Sequence, residues 1–93
     1  MKADKINYHY QEDLVHNLCE IQSDAKMRDF LSALLTPNEL EEIGKRLQIF
    51  KRLLRGEPQA KIAAHLKAGV ATVAHGAREL REKGHKVEKM LKR

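Results

Sequence analysis

His75 and Glu79 stand four residues apart in "VATVAHGARELREKG", a spacing that puts an imidazole and a carboxylate on one helix face, where they can pair. Around them lie Arg78, Arg81 and Lys83, cations suited to phosphate oxygens. Val70 and Ala71 precede them, apolar groups suited to thymine methyls, and Gln59 can contact a phosphate or a base edge. No enzyme is expected: the five histidines (His9, His16, His65, His75, His85) accompany no recognisable nucleophile with its base, and there is no Gly-rich phosphate loop. His16 and Cys19, three apart, are at most half of a zinc site, since structural zinc takes four ligands.

Helices must position these residues. Aromatic residues make up only 4% of the 93, without tryptophan, so a core has to come from Leu, Ile, Val and Ala, which favours an all-α fold. Leu14, Leu18 and Ile21 predict a first helix over about Gln11 to Ile21, preceded by Tyr8 and Tyr10. Ser23 is a plausible N-cap for a second helix carrying Met27, Phe30, Leu31 and Leu34. Thr36-Pro37-Asn38-Glu39 reads as a capping box with Pro at the first helical position. The long helix that follows runs to about Arg55, where Gly56 stops it. Its Leu40, Ile43, Leu47, Phe50 and Leu54 form a narrow seam, widened by Ile49 and Leu53, that we read as a dimer spine. The same periodicity fits a helix buried within its own monomer.

After Glu57-Pro58, residues Gln59 to Leu66 predict a two-turn helix with Ile62 and Leu66 inward and small Ala63 at a close approach. A three-residue break follows, with Lys67 at the turn position that usually takes Gly. The next helix, about Val70 to Glu82, places Val73, Ala77 and Leu80 on one stripe and Gly69, Val70, Ala71, Ala74 and Arg78 largely on the other. Two short helices so joined predict a helix-turn-helix that presents the second helix to the DNA major groove. The tail "GHKVEKMLKR" has too small an apolar face for membrane anchoring and reads as a last helix. The expected organisation is one helical domain over 1–93: dimerisation helices over about 10–57, the helix-turn-helix over 58–83 and a C-terminal helix over 85–93.

Charge divides the chain. Residues 1–44 carry a net −5 and residues 45–93 a net +10, for a total of +5, which suggests that the second half faces a polyanion. The bland counterpart is a solvated helix surface. The single cysteine, the lack of an apolar signal-like stretch in "MKADKINYHYQED" and the absence of a membrane-length apolar run fit a cytoplasmic location.

"LLTPNELEEIGKRLQIFKRLLRGE" followed by "PQAKIAAHLKAGVATVAHGARELR" resembles the tryptophan repressor family over about Leu34 to Arg81. The Leu-Thr-Pro entry to the long helix, its Leu-Leu-Arg-Gly-Glu exit and the Ala-Gly-Val-Ala-Thr-Val opening of the recognition helix carry the resemblance. It implies an all-α, six-helix intertwined homodimer and a repressor-like regulator that binds double-stranded DNA. The DNA-binding residues it implies are Gln59, Gly69, Val70, Ala71, Thr72, Ala74, Arg78 and Arg81.

The resemblance also implies a ligand pocket at Thr36, Arg46, His75, Gly76 and Glu79, and there the sequence departs. In tryptophan-binding members two arginines sandwich the indole. Arg46 matches one, His75 stands in place of the other, and Glu79 replaces a serine near the ligand's amino group. Either an amino-acid-like corepressor has changed, to a cationic or neutral one, or the pocket is lost and the His75–Glu79 pair staples the helix; tryptophan itself is not expected to act. Ala60, Ala63 and Ala74 stand where the family uses basic or hydroxyl side chains toward DNA. Affinity can survive that loss while base discrimination falls, and the same alanines fit a helical dimeric interaction protein that has lost its operator.

Overall fold

The computed structural model describes residues 7–91, and every regular element among them is an α-helix. They are α1 (Tyr8–Glu20), α2 (Asp24–Leu34), α3 (Pro37–Leu54), α4 (Gln59–Leu66) and α5 (Val70–Met90). Lys83 (φ −125°, ψ 16°) breaks the helical backbone inside α5, so its two segments make six helical segments in all. The second segment is the expected C-terminal helix; Lys92 and Arg93 lie outside the described residues. The chain separates into two compact units, Met1–Pro37 and Asn38–Arg93.

In the first unit, α1 begins three residues before the sequence expectation. Asn7 caps it, its side-chain oxygen accepting from the N–H groups of His9 (3.0 Å) and Tyr10 (3.3 Å), so both tyrosines lie inside the helix rather than ahead of it. Ser23 caps α2 as expected, accepting from Lys26 N–H at 3.0 Å. Neither helix has a buried residue, and Tyr8, Tyr10, Leu14, Val15 and Leu34 are all exposed.

The second unit holds the core. Ile49 of α3, Ile62 and Ala63 of α4, and Val73 of α5 are buried, with Leu53, Leu66 and Ala68 packed against them. The α3 residue anchored in the chain's own core is Ile49, one of the two positions that widen the seam. Ile43, Leu47 and Leu54 of the seam remain 47%, 39% and 36% exposed.

Both helix exits that shape this corner end in the same hydrogen-bond pattern. At the end of α3, Gly56 (φ 84°) donates its N–H to the Leu53 carbonyl at 2.9 Å and Glu57 donates to the Arg52 carbonyl at 3.1 Å. At the end of α4, Lys67 donates to Ala64 at 3.4 Å and Ala68 to Ala63 at 3.0 Å, with Lys67 in the left-handed region (φ 53°, ψ 41°). A side chain there costs about 1 kcal/mol relative to glycine.

An ionic knot fixes the α3–α4 corner. The Arg52 guanidinium donates to His65 Nδ1 at 3.0 Å and lies 3.5 Å from Glu57, which also meets Arg55 at 3.8 Å. Because guanidinium only donates, His65 Nδ1 must present its lone pair. The hydrophobic spacing of α3 and α4 gave no sign of this cluster.

Candidate nucleic-acid interface and adjoining cleft

At 100° per residue, α5 has three faces, and each does something different. Val73, Gly76, Ala77 and Leu80 turn inward: Val73 and Gly76 are buried, Ala77 and Leu80 half-buried. Gly76 permits the closest approach, since a Cβ built there would sit 2.9 Å from Ile49 Cγ2 and 3.7 Å from both Leu53 and Phe50. The glycine is thus required by packing of α5 on α3, a role the pocket assignment missed.

Thr72, His75 and Glu79 form the second face. With Arg46, Ile49, Phe50 and Gly76 they line a cleft of about 200 Å³ between α3 and α5. Four of the five expected ligand residues therefore meet in one place; Thr36 belongs to the other unit. Thr72, assigned from sequence to the DNA side, lines the cleft as well. Ile49 and Phe50 supply its apolar floor. Lys83 Nζ lies 3.2 Å from Glu79 Oε1, and His75 Nε2 lies 4.0 Å from Oε2. Lys83, read from sequence as suited to phosphate oxygens, forms this pair with its side chain 65% exposed.

The third face carries Val70, Ala71, Ala74, Arg78 and Arg81, all within a sector of roughly 100°. Val70 is 65% exposed; Ala71, Arg78 and Arg81 are exposed and Ala74 half-buried. The face grades from an apolar tip at the helix start to two arginines, neither of which forms an ion pair among the described residues. Gly69 precedes the tip and provides no side-chain cap. Gln59 is exposed at the start of α4, and Lys61 and Lys67 are exposed nearby in sequence.

Outside this region the candidate sites thin out. His16 lies 4.0 Å from Glu20, and Cys19 is exposed. No group of three or more metal-ligating side chains occurs among the described residues. None of their helices is long and apolar enough to cross a membrane.

No solved structure matches the chain. Among curated proteins, the Trp operon repressor homolog of Actinobacillus succinogenes is 33% identical over 76 residues, 81% of this chain and 75% of that protein. The homolog of Mannheimia succiniciproducens is 42% identical over 60 residues (63% and 59% of the two chains), and that of Vibrio parahaemolyticus 38% over 63 (67% and 61%). The family model described as Trp repressor protein matches residues 10–93 and so takes in all three faces of α5, the α3–α4 corner and the capped helices before them: the chain belongs to the Trp repressor family.

Proposed function

We propose that the chain is a DNA-binding, repressor-like transcriptional regulator that acts as a homodimer, with α4, the 67–69 turn and α5 as its helix-turn-helix. The observation that carries this reading is the outer face of α5: exposed except at half-buried Ala74, apolar at its tip and cationic behind it, on the half of the chain that bears +10. A helix of that kind suits a major groove, with Val70, Ala71 and Ala74 toward the bases and Arg78 and Arg81 toward phosphates. Gln59 at the start of α4, directed to a phosphate, and Gly69 ahead of α5 complete the proposed contact set, while Thr72 lines the cleft. The relatives' shared name, Trp operon repressor homolog, is a regulator's name rather than an enzyme's and supports the same reading.

The dimer rests on surface that one chain leaves uncovered. Ile43, Leu47 and Leu54 on α3 and Leu14, Val15 and Leu34 on α1 and α2 are exposed apolar side chains, and a second copy is the partner that would cover them.

The cleft does not fit tryptophan in the manner of two stacked arginines. Arg46 provides one planar guanidinium, but the opposite wall is His75, 65% exposed at its side chain and paired with Glu79, whose carboxylate already faces Lys83. Wild-type protein is therefore expected to give no saturable heat on titration with L-tryptophan. His75→Arg with Glu79→Ser should gain measurable binding, and that binding should tighten DNA by linkage.

Selecting bound sequences from a random duplex pool, with and without L-tryptophan, tests the whole reading. An enriched pool that is the same under both conditions is expected. Failure to retain any duplex would instead favour the second reading, a dimeric interaction protein without operator binding, to which the alanines on α4 and α5 point.

A further inference from the structure

We propose that this protein selects its DNA by the 5-methyl groups of thymine, read by Val70 with Ala71 and Ala74, rather than by hydrogen bonds to base edges. The inference rests on the proposed DNA-binding function and names the chemistry of its specificity. Three observations carry it. The tip of the exposed face of α5 contains Val70, Ala71 and, one turn on, Ala74, and none of these side chains has a donor or an acceptor. The hydroxyl-bearing residue in that turn, Thr72, lies on the face that lines the cleft toward Arg46. The donors on the outer face, Arg78 and Arg81, begin two helical turns behind the tip, where a helix entering a groove by its first turn passes the phosphates.

A tip so built cannot complete the bidentate pairs that identify guanine or adenine. In the major groove, the feature it can recognise is the one apolar group displayed there, the thymine methyl. Val70 is the principal reader, being both the first residue of the helix and 65% exposed while free of any role in the core. The flanking cations set affinity without regard to sequence, so discrimination should follow the number and placement of methyls.

The test uses the full-length wild-type chain and one duplex enriched from a random pool, made in three forms: with thymine, with uracil at every thymine position, and with uracil for thymine plus 5-methylcytosine for cytosine. Burial of one methyl corresponds to about a fourfold change in affinity. The uracil form should bind at least about tenfold more weakly if two or more methyls are contacted. The third form should recover affinity only where a cytosine methyl falls at a contacted position. Val70→Ser should lower the thymine-to-uracil ratio by about fourfold, the share of one methyl, while leaving the salt dependence of binding unchanged, which separates direct contact from an effect of the methyls on duplex shape. Equal binding of thymine and uracil forms by the wild type would overturn methyl readout alone and leave DNA binding standing. An unchanged ratio in Val70→Ser would overturn the role of Val70. Absence of binding to every form would overturn both the inference and the function beneath it.

Discussion

The apolar side chains of α1, α2 and the α3 seam differ sharply from those at the corner of α3, α4 and α5. At the corner, Ile49, Ile62 and Val73 are buried at 1%, 0% and 0% exposure by their own chain. On α1 and α2 nothing is buried, and three of the five seam residues on α3 are more than a third exposed. One chain therefore completes the scaffold of its proposed reading helix and leaves the rest of its apolar surface for another molecule. A 93-residue chain has little core to spare, and this uncovered surface is what the proposed second copy would cover.

The comparison breaks most readily at Leu47. It is 39% exposed in the single chain, where a glutamate would be nearly harmless. If a second copy covers it, Leu47→Glu places an unpaired charge in an interface core at a cost of about 3–5 kcal/mol or more, and the protein should fail to fold. Circular dichroism and sedimentation check this; a well-folded monomer, from the mutant or from wild type at low micromolar concentration, would place the seam outside any obligate interface.

Gly76→Ala probes the corner itself. The added methyl meets Ile49 at 2.9 Å, so α5 must shift on α3, and stability should fall by about 1–3 kcal/mol in chemical denaturation. The oligomeric state should not change, because the exposed seam residues Ile43, Leu47 and Leu54 are not among the atoms the methyl meets. A smaller effect of opposite sign belongs to Lys67→Gly. Relief of the left-handed lysine at φ 53° should stabilise by about 0.5–1 kcal/mol, again at unchanged oligomeric state. A loss of stability there would mean that the lysine side chain makes a contribution the turn geometry does not explain.

How far the sequence reveals this molecule depends on the range of the interaction. Ser23, Gly56, the start of α3 at Pro37 and the span of α4 follow from local chemistry, and all lie where the sequence places them. The left-handed turn at Lys67 is legible for the same reason. Asn7 was an available cap signal that the periodicity of Leu14, Leu18 and Ile21 outweighed, which shortened α1 by one turn. What escapes the sequence is tertiary. A 3-4 spacing on α3 cannot tell which side meets the chain's own helices; that Ile49 packs with Ile62 and Val73 is visible only in the fold. The Arg52–His65–Glu57 knot joins residues from two helices and a turn without any repeating pattern. The His75–Glu79 pair is legible from its spacing; that Lys83 joins it is equally local, yet the cationic tail disguised it as a phosphate contact.

The central claim is that two basic, helix-presenting corners bind duplex DNA as a pair, and the salt dependence of duplex binding tests it most directly. If a dimer neutralises about 6 to 10 phosphates, log Kd against log salt should change with a slope corresponding to about −5 to −9 in the association constant. Arg78→Ala or Arg81→Ala should make that slope shallower by about 2 per dimer, since each removes one phosphate contact from each copy. No measurable binding at about 50 mM salt, or slopes indifferent to both arginines, would contradict the account.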